Sequence, residues 1–254
     1  MLQQTQAARV DPAFRSFVRR FPSVRALAAA SRADVLRAWS GLGYNRRAVN
    51  LHEAARTIVR DHGGRVPSDP EALRTLPGIG PYTAAAVASI AFGRPVAVTD
   101  TNVRRVLGRI ALGRDAGEVA MREAATLSEA WLDRRDPASW NQALMDLGRD
   151  VCRPRPRCDA CPVASRCRFL AAGASLRPPV RKQTRFEGSQ RQVRGAVVRE
   201  VAAAPTTIAR LAEATGVSED RVGRAVRDLA AEGVVEASPV ALRGDRRGKV
   251  RLPR

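Results

Sequence analysis

Four cysteines, and no others, stand at Cys152, Cys158, Cys161 and Cys167. Thiols gathered in one short stretch point to metal ligation before disulfide pairing, and their spacing leaves both zinc and a [4Fe–4S] cluster open. A second candidate is Pro77-Gly78-Ile79-Gly80-Pro81, where glycine reaches positive φ cheaply and proline bars helix continuation. Read as a hairpin between two helices, it leaves backbone N–H groups at a helix N-terminus, which suits a phosphate oxygen; an ordinary helix connector is the plainer reading. The third is Asp100 in Val98-Thr99-Asp100-Thr101-Asn102, after an apolar approach and before a helical pattern. As a bare motif it is a helix N-cap.

The elements that must position these groups read as helices. Asp69 to Thr75 forms a short one after Ser68, and Thr83 to Ala91 an alanine-rich one carrying Val87 and Ile90. Upstream, Phe14, Phe17, Val18 and Phe21 recur at helical spacing from Pro12, and Pro22 ends the run. Ser23 to Ala30 and Ser31 to Trp39 follow with serine caps. Gly41-Leu42-Gly43-Tyr44 is a break. Arg46 to His62 then carries Ala48, Leu51, Ala55, Ile58 and Val59 inward, and Gly63-Gly64 stops it. Downstream, Val103 to Ile110, Gly117 to Leu132 and Pro137 to Leu147 read as helices, the last with Trp140, Leu144 and Leu147 on one face. Strand patterns are nearly absent before residue 190, so this part is all α.

The chain has 254 residues and a formal net charge of +19, which implies one large and one small domain and a polyanionic partner. Nucleic acid fits better than an anionic membrane. No apolar run approaches the roughly 20 residues of a membrane span, and no secretory leader pattern opens the chain. The expected location is the cytoplasm, at the nucleoid.

Leu76-Pro77-Gly78-Ile79-Gly80-Pro81-Tyr82-Thr83-Ala84, followed by Asp100-Thr101-Asn102-Val103 and Arg105-Val106, resembles the helix-hairpin-helix DNA glycosylases. More narrowly, it is similar to the A/G-specific adenine DNA glycosylases of the MutY family, from Met1 to about Phe169. The resemblance implies an all-α core of two lobes with the active site between them. It implies a monomer acting on double-stranded DNA that holds adenine opposite 8-oxoguanine or guanine. The hairpin, with Gly78, Gly80 and Thr83, would grip the DNA backbone. Leu2-Gln3-Gln4-Thr5-Gln6 would enter the duplex, Gln3 and Gln4 at the lesion and Tyr44 inserting nearby. Asp100 would stabilise the cationic sugar formed as the base leaves, and Asn102 would hold its carboxylate. Tyr82 takes the place where endonuclease III-like enzymes carry a Schiff-base lysine. The only lysines are Lys182 and Lys249, beyond the catalytic region, so a monofunctional glycosylase is expected. The family favours the [4Fe–4S] cluster over zinc, although its Cys-x6-Cys first interval is Cys-x5-Cys here.

Three functional classes follow: an adenine glycosylase, a glycosylase for mismatched thymine or an oxidised pyrimidine, and a non-catalytic DNA-binding protein. The expected domains are a glycosylase domain over 1–176 with its iron–sulfur loop at 152–167, a linker over 177–190, and a small α+β domain over 191–254. That last domain resembles a winged helix: helices at 192–202, 208–215 and 218–232, then strands at 234–237, 240–243 and 249–252. Arg221, Arg224 and Arg227 either touch phosphate or form a solvated face. Nothing resembles the domain with which larger family members recognise 8-oxoguanine. The family's general-acid glutamate would lie two residues before Met1, so Met1 is expected to be an internal methionine.

Overall fold

Side-chain oxygens set where the helices start. Ser23 accepts from the Ala26 N–H at 3.1 Å, Asp69 from Ala72 at 2.8 Å, and Asp136 from Ser139 at 3.1 Å, each satisfying an orphan donor of a first turn. Pro70, Pro81 and Pro137 sit in first turns, where a missing N–H does no harm. The computed structural model describes residues 1–173 and 185–253. The expected linker therefore falls, over 177–184, outside the described residues. Two compact units result, one of Met1–Arg65 with Gln183–Arg254 and one of Val66–Lys182. Both are dominated by helices.

In the first unit the helices Ala7–Arg20, Val24–Ala29, Arg32–Ala38 and Arg46–Asp61 share one hydrophobic core with the C-terminal segment. Phe17, Val35, Leu36 and Trp39 belong to it together with Val197, Ile208, Leu211 and Leu229. Phe17 meets Trp39 edge-on at 6.1 Å. Arg37 Nε donates across the join to the Ala202 carbonyl at 3.2 Å. Two details correct the sequence reading. Pro12 lies inside the first helix instead of opening it, since the carbonyl it cannot serve, that of Ala8, is in an exposed turn. The face then rotates: Val10 and Phe17 are buried, whereas Phe14 and Val18 are exposed. On Arg46–Asp61, Leu51 is likewise exposed, and Val49 and His52 are buried in its stead.

The C-terminal part of this unit has the helices Gln190–Ala203, Ile208–Thr215 and Glu219–Ala231 and a three-stranded antiparallel sheet. Lys249–Arg251 is central, pairing Thr206 with Val250 on one side and Glu236 with Arg251 on the other. Residues 240–243, expected as a strand, instead form the short helix Pro239–Leu242. Ser238 caps it and Pro239 fixes its first turn, which overrides the local β-branched pattern. Of the three arginines on Glu219–Ala231, Arg224 pairs with Asp220 at 3.1 Å and Arg221 donates to the Gly188 carbonyl at 2.7 Å.

The second unit holds Pro70–Arg74, Pro81–Ala86, Thr101–Leu107, Met121–Ala130, Pro137–Asp146 and Arg168–Ala171. Three of these continue into wider π-type turns, at Val87–Ala91, Gly108–Leu112 and Leu147–Val151. The helix expected from Gly117 to Leu132 is shorter than that. Asp115 and Glu118 cap each other's backbone and close a separate turn at Ala116–Glu118, so the helix begins at Met121. On Pro137–Asp146 the deeply buried polar side chain is Asn141, while Trp140, Leu144 and Leu147 are only half-buried. No helix among the described residues is long and apolar enough to cross a membrane.

His52 generates a test of the first unit. It is fully buried, with Nε2 3.1 Å from the Ala30 carbonyl. Burial, reinforced by the positive charge of Arg56, lowers its pKa below the ordinary 6.5. The unfolded chain then takes up the proton first, so unfolding free energy is expected to fall as pH drops below about 6.5. His52→Gln should flatten that slope in denaturant titrations between pH 7.5 and 5.5, and a wild-type slope in the variant would refute the assignment.

Candidate active site

The predicted residues fall into two groups, one in each unit. Gln3, Gln4 and Tyr44 belong to the first unit. Gly78, Gly80, Tyr82, Thr83, Asp100, Asn102 and the four cysteines belong to the second.

In the second unit the hairpin closes through Ile79 N–H to the Leu76 carbonyl at 3.1 Å and Ala84 N–H to the Gly80 carbonyl at 2.9 Å. Gly78 has a φ of 77°, which a side chain would strain. Gly78 and Gly80 are exposed, and nothing lies within 4 Å of where a Gly80 Cβ would stand. A phosphate can therefore approach the backbone closely at the start of Pro81–Ala86.

Asp100 is the N-cap of Thr101–Leu107. Its Oδ1 accepts from the backbone N–H of Asn102 at 2.8 Å and of Val103 at 2.7 Å, and its Oδ2 accepts from Asn102 Nδ2 at 3.1 Å. Asn102 thus does hold the carboxylate. Its own Oδ1 is held in turn by Arg105 Nη2 at 2.9 Å. The same guanidinium donates to the Gly148 carbonyl at 2.8 Å and, through Nε, to the Cys152 carbonyl at 2.7 Å. An unbroken chain of hydrogen bonds therefore runs from the cysteine loop to the carboxylate. The approach to Asp100 is fixed from behind by Asn141. Its Oδ1 accepts from Val98 N–H at 2.9 Å, and its Nδ2 donates to the Val96 carbonyl at 2.9 Å and to Ser89 Oγ at 2.8 Å.

Tyr82 is 40% exposed, and its hydroxyl lies 3.6 Å from Met145 Sδ. Burial first, and the negative charge of Asp100 second, push the phenol's pKa up, so it stays a neutral donor.

All four cysteines line one cavity together with Ile110, Leu147, Val151, Phe169 and Leu170. The thiols are free, with Cys152 buried. Burial pushes the Cys152 thiol up, opposed by Arg109, whose Nη1 lies 3.6 Å from Sγ. Arg109 is 1% exposed and holds the loop from within. It donates to the carbonyls of Arg153 at 2.6 Å and Pro154 at 3.0 Å, pairs with Asp115 at 2.9 Å, and lies 5.0 Å over the Phe169 ring. Among the described residues no three His, Cys, Asp or Glu converge on a point that would hold one metal ion. The cavity is rimmed by four thiols, and Arg109 makes one charge-assisted N–H···S contact to them.

Sequence reasoning missed Arg105, Arg109 and Asn141. Arg105 and Arg109 follow Asn102 by three and seven residues, a helical spacing that the neighbouring Arg104 obscures.

A hairpin open to phosphate and a carboxylate locked at a helix start are the equipment of a helix-hairpin-helix DNA glycosylase. The pattern of HhH-GPD superfamily base excision DNA repair proteins matches residues 1–131. An adenine DNA glycosylase of Mycobacterium tuberculosis is 46% identical over 242 residues, covering 92% of this chain and 79% of that protein. The adenine DNA glycosylase of Homo sapiens is 44% identical over 172 residues, 66% of this chain and 32% of that protein. Among solved structures, a thermostable thymine-DNA glycosylase is similar with a TM-score of 0.63 and 30% identity, over 67% of this chain and 80% of that one. Endonuclease III trapped on DNA, at 24% identity and a TM-score of 0.60 over 68% of this chain and 82% of that one, shares the fold. The chain belongs to the HhH-GPD superfamily and, within it, to the adenine DNA glycosylase family. It is a DNA glycosylase of base excision repair.

The close approach at Gly148 allows a test of the positioning chain. A Cβ there would stand 2.9 Å from Asn102 Cβ and 3.3 Å from its carbonyl oxygen. Gly148→Ala should displace Asn102 and slow base release by about tenfold or more, while removing no functional group. Single-turnover rates with unchanged DNA affinity would show this, and an unchanged rate would refute it.

Proposed function

We propose that this protein is a monofunctional glycosylase that extrudes adenine paired with 8-oxoguanine or guanine and hydrolyses its N-glycosidic bond. The observation that carries the mechanism is the threefold-anchored carboxylate of Asp100. As the bond between C1′ and the base nitrogen lengthens, positive charge gathers on the sugar. A carboxylate fixed in advance stabilises that charge without reorganising. A water oxygen then bonds to C1′ and gives up a proton, while the departing base keeps the electron pair and takes up a proton, so that one water is consumed in all. Tyr82, a neutral phenol beside Asp100, offers no amine, so no covalent imine forms and the strand stays intact. Gln3, Gln4 and Tyr44 fill the gap left in the duplex, and the hairpin with Gly78, Gly80 and Thr83 anchors the phosphates. Adenine as the substrate is supported by the adenine glycosylases that resemble the chain over almost its whole length.

Cys152, Cys158, Cys161 and Cys167 hold a [4Fe–4S] cluster in this reading, in preference to zinc. When bound, the cluster cross-links the loop and so fixes the Cys152 carbonyl to which Arg105 donates. Thymine opposite guanine is the second substrate reading, favoured by the likeness to the thermostable thymine-DNA glycosylase.

Duplexes holding A:8-oxoguanine, A:G, T:G and oxidised pyrimidines separate these readings. Release is expected from the first two only, leaving an abasic site that breaks only on heating in alkali. Asp100→Asn should keep lesion binding and lose about 10²-fold or more in release. Preferred release of thymine, or a product trapped covalently by borohydride, would overturn the reading. Purified without chelator, the protein should be yellow-brown with about four iron per chain. Stoichiometric zinc without visible absorbance would assign the cysteines otherwise.

A further inference from the structure

Among the described residues, two other than glycine have backbone in the left-handed region: Gln4, with φ of 56°, and Tyr44, with φ of 47°. Both side chains are exposed, the Tyr44 ring by 46%. Gln4 is the third residue of a turn closed by Thr5 N–H to the Leu2 carbonyl at 3.3 Å. Tyr44 directly follows Gly43, itself at φ 68°. Long or bulky side chains are disfavoured in this region and persist only where the surroundings over-determine them.

One guanidinium over-determines both. Arg47, in the first turn of Arg46–Asp61, donates through Nη1 to the Met1 carbonyl at 2.8 Å and to the Gln3 carbonyl. Its Nη2 donates to Thr5 Oγ1 at 2.9 Å and lies 3.2 Å from the Gly43 carbonyl and 3.3 Å from that of Leu42. The guanidinium carbon lies over two aromatic rings, 5.3 Å from the Trp39 centroid and 5.5 Å from that of Tyr44. Trp39, itself buried, donates Nε1 to the Gly43 carbonyl at 3.1 Å, so the floor under the clamp is rigid. Among the described residues Arg47 has no carboxylate partner; its two Nη groups donate to loop oxygens, and its buried Nε has no hydrogen-bond partner.

We propose that Arg47 is a positioning residue that locks the Gln4 turn and the Tyr44 turn into one preorganised probe of the duplex. This rests on the reading above that Gln4 and Tyr44 enter DNA. A wedge assembled beforehand pays no ordering entropy on entry, whereas two separately mobile turns must each be fixed while the base is being unstacked. Only a planar fork reaches both turns while stacking on two rings, which a lysine ammonium cannot do.

The test compares Arg47→Lys, which keeps the charge and loses the fork, with Gln4→Ala and Tyr44→Ala. Amide exchange in residues 3–5 and 43–45 should rise together by about tenfold in Arg47→Lys, with residues 48–58 unchanged. With 2-aminopurine as the target base, the fluorescence gained on extrusion should fall about fivefold in all three variants. Gln4→Ala should leave exchange at 43–45 unaltered. Wild-type exchange or full fluorescence in Arg47→Lys would overturn the clamp, as would faster exchange spreading through 48–58, which marks a merely structural role. Normal fluorescence in both Gln4→Ala and Tyr44→Ala would instead overturn the reading of those side chains as probes, while the exchange data still judge the coupling of the two turns.

Discussion

Backbone carbonyls in irregular loops find no partner in a helix or sheet ladder, and a loop is fixed only where something else accepts that burden. In this protein the guanidinium group does so. Arg47 gathers the oxygens of two turns, Arg105 those of Gly148 and Cys152, and Arg109 those of Arg153 and Pro154. Each of these loops carries or adjoins residues assigned to chemistry. Arginine suits the role because five donors in a fixed plane reach several oxygens at once, and the flat faces still pack on rings. Arg109 on Phe169 and Arg47 on Trp39 show the two uses combined.

This explains what was legible in the sequence and what was not. Asp100, the hairpin and the cysteine group stand out because their residue types are locally unusual, and Asp100 and Asn102 lie in contact. The arginines do not stand out. With 44 lysines and arginines in the chain, no single guanidinium announces that it is buried. Asn141 was overlooked for a related reason: the Val98 N–H, the Val96 carbonyl and the Ser89 hydroxyl that it satisfies lie more than forty residues away in sequence. Gly148 reads as an ordinary helix glycine until Asn102 is seen against it. The shared core of residues 1–65 and the C-terminal segment is equally invisible, because amphipathic helices declare that a face is buried, never against what.

Local errors had local causes. Val240 to Arg243 alternate like a strand, yet a serine cap and a proline in the first turn prevailed over that weak pattern. Pro12 suggested a helix start, but the helix had room for it inside an exposed turn. In both cases backbone hydrogen bonding decided and side-chain hydrophobicity followed.

The helix cap seen at Asp100 and the catalytic carboxylate proposed there would be one device. A carboxylate offers about four lone-pair directions, and three are taken by Asn102 N–H, Val103 N–H and Asn102 Nδ2. The remaining direction is free to face a cationic sugar. The cap fixes the rotamer before any substrate arrives. The helix dipole weakens the net field that the sugar would feel, so a tighter cap would not make a better catalyst. What the cap contributes is that the negative charge need not move or be desolvated afresh when the bond breaks. On the proposed role of Asp100, the supporting chain through Asn102, Arg105 and the cysteine loop would belong to the active site, because a carboxylate free to rotate would have to be ordered in every turnover.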